Sequence, residues 1–486
     1  MSRKLSSSEK VAALRVVCPR CGVWVRESCQ HTKGRKIGEK CDPHPERVKL
    51  SNINLSPETK RKIKEVEDAE PREKKHKKDK LSPEQRMIVD SLLEKVSNLG
   101  KHVEFLEPVT VGPMISTYRL MPIHKTRVAH LEGMMKDFAV AVKADTLVVK
   151  RIPGEAAVGV FVPNSVQKIT YLSETLPAVL TYMQKHRTED HLPIPLNFGV
   201  TAHGESFIDD LTEQPHILIA GSTGAGKTTL ANDFLLSMLW VLTPRELQLV
   251  MSDTKKVDIY PYYKNIPHLV RPIATDVYET MQALDYLRRE TQRRLDILSH
   301  EGCRNLHVYN QKHPDKTMPY LVGYIDELAD IMGESVDRTE GRANSEKLGA
   351  IVGRSRAAGI YIMAGTQRPS VNIVKGSIKA NFPSRVAFKL PSVGDSQTVL
   401  KGVKGAECLM KCGDMFYSSS NSSELRRLHA PYAKSEDVKM LIEQIIQKEE
   451  VAKENKRFEE AERIAIQQEA NGHPITVVSS LDRKPN

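Results

Sequence analysis

Residues 221–228 read GSTGAGKT, which fits the pattern G-x-x-x-x-G-K-[ST]. An apolar run, HILIA at 216–220, precedes it, and TTLANDFLLSMLW at 228–240 opens a helical pattern. Strand, glycine-rich loop and helix in that order make a phosphate-gripping loop rather than a structural glycine turn. Gly221, Ser222, Thr223, Gly224, Ala225 and Gly226 supply a backbone that curls its N–H groups toward phosphates, and the helix N-terminus adds partial positive charge. Lys227 is expected to reach the β- and γ-phosphates, and the Thr228 hydroxyl to bind Mg²⁺, with Thr229 beside it in the first turn. ATP with Mg²⁺ is therefore the expected ligand.

Working outward, apolar runs at 247–251, 320–325, 360–364 and 385–390 alternate with helical stretches. Strands buried on both faces read this way in a parallel sheet. The fold class is α/β, a RecA-like P-loop ATPase core expected over 206–435. YLVGYIDELAD places Asp326 and Glu327 at the end of one apolar run, on the sheet edge where such folds hold ligands. Asp326 would hold the magnesium through water, and Glu327 would orient and deprotonate the attacking water. A helix N-cap is the other use for such acids. In IYIMAGTQRPS, Gln367 ends a neighbouring strand and is placed to sense the γ-phosphate.

The chain has 486 residues, a formal net charge of +11, 27% charged residues and seven cysteines. That length predicts two or three domains at about 100–200 residues each. A basic balance favours an anionic partner. No run of about 18 apolar residues appears, which predicts no spanning helix, and the N-terminus lacks a signal-peptide pattern. An odd cysteine count with four near the start points to a reducing cytoplasm and a metal rather than disulfides. Residues 1–50 form a cysteine- and histidine-rich module offering Cys18, Cys21, Cys29, His31, Cys41 and His44. Cys18-x₂-Cys21 is a common half-site for tetrahedral Zn²⁺, and so short a segment with few apolar residues needs a staple. Residues 51–80 read as a charged linker. Residues 81–205 read as an α+β accessory domain: a helix started by Ser82-Pro83, strand-like runs near 102–106, 113–121, 146–152 and 158–162, and helices near 127–142 and 173–185. Residues 436–486 are a C-terminal helix and tail.

Longer motifs carry a resemblance. GSTGAGKTTLANDFLLSML, MSDTKKVD, RNLHVYN, YIDELADIM, GRSRAAGIYIMAGTQRPSVNIVKGSIKANFPSRVAFKL, GDSQTVL and GDMFY follow in that order. They resemble the motor core of the FtsK/SpoIIIE double-stranded DNA translocases, and VGPMISTYRLMP resembles their accessory domain. The likeness spans about 81–432. It implies a homo-oligomeric ring, expected as a hexamer, around double-stranded DNA, with ATP between neighbouring subunits. It also implies that Arg356 acts across that interface on the γ-phosphate, Arg354 being a nearby competitor. Arg368, Lys375 and Lys379 match pore-facing loops whose cations pair with phosphates, contacts that carry no sequence code. Where many relatives carry a basic residue before the DS pair, this chain has Val393-Gly394, and Lys389 or Lys401 are the candidate substitutes. The large membrane segments and the winged-helix domain of that family have no counterpart here, so no membrane insertion and no winged-helix-directed loading are expected. The N-terminus resembles small zinc modules of pattern CPxCG…C…G…PHxxR, which implies Cys18, Cys21, Cys29 and His44 as ligands, with Cys41 as the alternative. Two other readings stay open: an ATPase of the same superfamily that moves protein, as in type VII secretion, and a non-enzymatic DNA-binding scaffold.

Overall fold

The computed structural model describes residues 29–30, 40–41 and 81–470, except 153, 333–337, 371–372, 375 and 423–424. It divides into two units, Met1–Glu73 and Lys74–Asn486. In the first, β1 (Cys29–Gln30) and β2 (Lys40–Cys41) form an antiparallel ladder with Cys29 opposite Cys41. One expected zinc ligand thus faces its alternative across a strand pair, while Cys18, Cys21 and His44 lie outside the described residues.

The second unit begins with the helix Pro83–Asn98. Its start is a capping box, in which the Ser82 hydroxyl accepts the Gln85 N–H and the Gln85 side chain accepts the Ser82 N–H, so two of the donors a helix start leaves open are satisfied. Val89, Leu92 and Val96 fall on one face and are buried. They join the core of an antiparallel sheet made of β3 (Val103–Val111), β4 (Ile115–Pro122), β5 (Val148–Arg151) and β6 (Val158–Pro163), in the order β3-β4-β6-β5. The single helix expected over 127–142 is two short ones, Val128–Gly133 and Met135–Ala141. The break falls beside Gly133, the residue with least hold on helical geometry.

The larger sheet has nine strands: β7 (Pro195–Thr201), β8 (Ser206–Asp210), β9 (Ile217–Ala220), β10 (Leu247–Ser252), β11 (Tyr320–Ile325), β12 (Ile360–Thr366), β13 (Ser384–Phe388), β14 (Asp414–Ser418) and β15 (Leu425–His429). The order is β10-β11-β12-β9-β13-β14-β15-β7-β8. The first five are parallel to one another, and the remaining pairings are antiparallel. The expected parallel sheet is therefore extended by an antiparallel flank. Two of its strands, β7 and β8, come from around residue 205, where the sequence reading placed the domain boundary. The accessory sheet itself stops at Pro163, and the helix Leu172–His186 already packs in the core of the larger sheet.

Alternation along the parallel strands feeds two cores. Leu249, Val322, Tyr324 and Met363 point to one face, under the helix Lys227–Val241. Val250, Leu321, Ile325 and Ile362 point to the other, under the helices Val277–His300 and Arg338–Val352. This is the period-two signature of a strand covered on both sides. The helix Ser435–Ala470 adds Val438, Leu441, Ile442 and Ile445 to the first core, a stripe at helical spacing, so its first turns pack on the larger sheet's domain. Among the described residues no helix is long and apolar enough to cross a membrane.

Candidate functional site

β9, β12 and β11 are neighbours, and their C-terminal ends carry the phosphate loop, Gln367 and the acid pair in turn. Lys227, the first residue of its helix, crosses the end of β12 to the far side. Its Nζ donates to the Asp326 carbonyl at 2.7 Å and to Asp326 Oδ1 at 2.8 Å. That crossing requires Gly365: a Cβ there would lie 2.4 Å from the Asp326 carbonyl oxygen and 3.1 Å from Lys227 Nζ. Loop geometry depends on glycine as well, since Gly226 has φ +122° and packs against Gly413 and Phe388. The loop is pinned from outside: Ser222 donates its N–H and hydroxyl to the Lys389 carbonyl at 3.1 and 2.9 Å, and the Gly413 N–H donates to the Ala225 carbonyl at 3.0 Å.

Asp326 is fully buried, and Glu327 and Lys227 nearly so. The Tyr324 hydroxyl donates to Asp326 Oδ1 at 2.9 Å. Asp326 Oδ2 is buried and accepts no hydrogen bond. Glu327 is held by the Gln367 N–H, 3.2 Å from Oε1 and 3.0 Å from Oε2, and by the Ala329 N–H, 3.2 Å from Oε1. The helix-capping use considered from sequence is thus part of how this side chain is oriented. The Gln367 side chain accepts from Thr223 Oγ1 at 3.1 Å, which ties it to the phosphate loop.

Three participants were not singled out from sequence. Tyr324 and Gly365 lie one or two residues inside strand ends that were. Lys255 lies on the turn after β10, its Nζ 3.8 Å from Asp326 Oδ2 and 3.9 Å from Glu327 Oε2. Its signal was available in SDTKKVD, since this run also follows a parallel strand at the ligand-binding edge. On the same turn, burial pushes the Asp258 carboxyl above its usual range, and the Asp326 charge adds to that.

The remaining candidates spread over two edges of the sheet. Arg356 precedes β12 and sits at the opposite edge from Gln367, two residues after Arg354, whose guanidinium donates to Gln292 at 3.3 Å. Arg356 is exposed and lies 4.0 Å from Glu213. At about 3.3 Å per residue, β12 separates it from the phosphate loop by roughly 20 Å. Arg368 follows Gln367 directly, and Lys379 lies on the helix Gly376–Asn381, where its carbonyl accepts from the Arg385 guanidinium. Lys375 falls outside the described residues.

Chemically, the helix N-terminus, the glycine loop and Lys227 form an anion cradle. The Thr228 hydroxyl and the orphaned Asp326 oxygen are hard oxygen donors suited to Mg²⁺. The residues present therefore fit magnesium and a nucleoside triphosphate. Such a sheet, cradle and acid pair define a RecA-like P-loop ATPase fold.

Comparison with known proteins narrows the class. The FtsK/SpoIIIE family model matches residues 175–371, the FtsK alpha domain model 62–164, and a phage zinc finger domain model 6–61. The chain belongs to the FtsK/SpoIIIE family. It is 36% identical over 344 residues to the DNA translocase FtsK of Helicobacter pylori (strain ATCC 700392 / 26695), covering 70% of this chain and 39% of the relative. With the DNA translocase FtsK of Sporosarcina ureae the figures are 34% over 353 residues, 70% and 43%. The chain thus spans about two fifths of the length of these relatives. Among solved structures, the pCW3 conjugation coupling protein TcpA, monomer form with ATPgS, aligns with a TM-score of 0.51 at 19% identity, covering 74% of this chain and 99% of that one. That likeness is one of fold.

Proposed function

We propose that this chain is an ATP-driven motor that moves double-stranded DNA through a homo-oligomeric ring, largely without regard to sequence, in the cytoplasm. The observation that carries the reading is the link from Lys227 to Asp326 over Gly365, with one buried Asp326 oxygen left open beside Glu327. It joins a phosphate cradle to a cation ligand and a candidate base in one cleft. Membership of a family whose relatives are DNA translocases supports DNA as the cargo.

In this reading Lys227 and the loop N–H groups bind the β- and γ-phosphates, and Thr228 and Asp326 hold Mg²⁺, which neutralises charge on the phosphates when bound. Glu327, oriented by the Gln367 and Ala329 N–H groups, takes a proton from the attacking water. Gln367 reports the state of the phosphate loop through Thr223 to Arg368, the next residue and the first candidate DNA contact. Arg356 serves a neighbouring protomer, because about 20 Å of β12 keeps it from its own phosphate loop. A ring, expected as a hexamer, gives each Arg356 such a neighbour. Arg368, Lys375 and Lys379 pair with DNA phosphates. Zn²⁺ held by Cys18, Cys21, Cys29 and His44 staples the N-terminal module.

Steady-state ATPase measurements with and without duplex DNA test this. Turnover should rise with duplexes of unrelated sequence and the stimulation should fade as salt rises. Intact basal turnover with no stimulation would favour the protein-moving alternative.

A further inference from the structure

Lys255 is the fourth charge of the nucleotide cleft, and its geometry differs from that of Lys227. Lys227 closes on Asp326 at 2.7 and 2.8 Å. Lys255 stands 3.8 and 3.9 Å from Asp326 Oδ2 and Glu327 Oε2, beyond the roughly 3.2 Å at which an ammonium hydrogen bonds a carboxylate. Its side chain is 36% exposed, whereas those of Asp326, Lys227 and Glu327 are all 6% exposed or less. A structural ion pair would close up. Lys255 instead balances the acids from the open side of the cleft and spends none of its three donors on them.

The turn beneath it is rigid. The fully buried Asp253 carboxylate accepts the Lys256 N–H at 3.0 Å through Oδ1, and the Ile259 and Tyr260 N–H groups, both at 2.9 Å, through Oδ2. The same segment ends in Tyr263, whose hydroxyl donates to Asn232 at 2.9 Å, and Asn232 donates to the Thr228 carbonyl at 3.1 Å. The turn carrying Lys255 is therefore tied to the first turn of the phosphate-loop helix. A preorganised turn offering an uncommitted ammonium is how a site presents a point charge to a phosphate oxygen.

We propose that Lys255 is a terminal-phosphate sensor: its ammonium binds the γ-phosphate and so distinguishes nucleoside triphosphate from diphosphate. This rests on the ATPase reading above. Lys227 grips both nucleotides and cannot make that distinction alone. With the γ-phosphate gone, the Lys255 ammonium returns to the two carboxylates, and the turn joins the strand β10 edge to the state of the nucleotide.

The test is equilibrium binding of fluorescent ATPγS and ADP, each with Mg²⁺, to the full chain and to K255M and K255R, with a melting curve for each. In K255M the affinity for ATPγS should fall about tenfold or more, the loss of one charge-assisted hydrogen bond, while ADP affinity holds. K255R, which keeps the charge, should recover most of the preference. K227A should instead weaken both nucleotides. Equal losses for both nucleotides in K255M, or an unchanged preference, would overturn the assignment while leaving the ATPase reading intact. A wild-type chain that binds neither nucleotide would remove both.

Discussion

Asp326 and Asp414 are both carboxylates with no exposed surface, each at the end of a strand in the same sheet, yet their surroundings are opposite in kind. Asp414 has both oxygens engaged. Arg427 meets it as a fork, Nε to Oδ1 at 2.9 Å and Nη2 to Oδ2 at 2.7 Å, and the Met410 N–H adds a bond at 2.8 Å. The guanidinium lies 5.5 Å from the ring of Phe161, a residue of the accessory sheet, so this pair fastens the accessory domain to the motor. Asp326 has one oxygen held by Lys227 and Tyr324, while the other accepts no hydrogen bond and has the Lys255 ammonium 3.8 Å away. A buried carboxylate with both oxygens hydrogen-bonded serves structure. One with an unanswered oxygen in a cleft, where desolvation is costly, is suited to a cation.

If that contrast is right, the two sites fail differently. The largest effect should come from Glu327→Gln, which removes the base beside the unanswered oxygen. Turnover should drop about 10²- to 10⁴-fold, with ATPγS binding and the urea midpoint nearly unchanged. Normal turnover would remove Glu327 from that role. Next, Asp414→Ala strands a buried guanidinium and should cost about 3–5 kcal/mol of stability, read by urea denaturation, with activity per folded molecule preserved. A small stability loss coupled to a large activity loss would erase the distinction between the two sites.

The Asp414 pair also sets a pH dependence. Burial pushes its carboxyl up, but the Arg427 and His429 charges and its hydrogen bonds outweigh that, leaving it below the usual range. A depressed carboxylate contributes stability above its unfolded value near 3.9 and loses it as pH falls through the folded value. Urea midpoints should therefore decline below about pH 4, and that part of the decline should vanish in Asp414→Asn.

Gly365→Ala sits between the two kinds of lesion. Its methyl group would push on the Asp326 carbonyl and Lys227 together, costing about 1–3 kcal/mol as overpacking does and weakening ATP and ADP binding alike. Retained nucleotide affinity would show that the lysine does not need that crossing. The smallest effect concerns His191, whose Nε2 lies 2.7 Å from Asp210 and whose pKa is raised, chiefly by that hydrogen bond. A raised histidine contributes stability below its unfolded value near 6.5 and loses it as pH climbs through the folded value. The gap in urea midpoint between pH 6 and pH 8.5 should narrow slightly in His191→Gln, and an unchanged gap would show that the pair is too solvated to matter.

The phosphate loop, the strands at its flanks, the acid pair and the helix started at Ser82 were all legible in the residues, because each is a local pattern: a glycine spacing, an apolar run, a serine followed by a proline. The antiparallel flank was less so. Strand β7 read as the end of the accessory domain, and β8 as the start of the core, because nothing in 195–210 says which sheet will accept them; only the pairing of β15 with β7 decides it. Lys255 was marked only by its place after a parallel strand, for a related reason. A lysine in a charged loop looks like any solvated lysine until the fold sets it beside acids some seventy residues further along the chain.

Sequence by itself marked the phosphate loop, the acid pair Asp326 and Glu327 at a strand end, and the family whose models match the chain, since short-range spacing encodes those features. Tertiary structure alone decided that Lys227 crosses a strand at Gly365, that one Asp326 oxygen accepts no hydrogen bond while both Asp414 oxygens do, and that Arg356 lies a strand's length from its own phosphate loop. Those depend on which strands become neighbours, and neighbour choice is settled by long-range burial and hydrogen bonding that no local pattern contains.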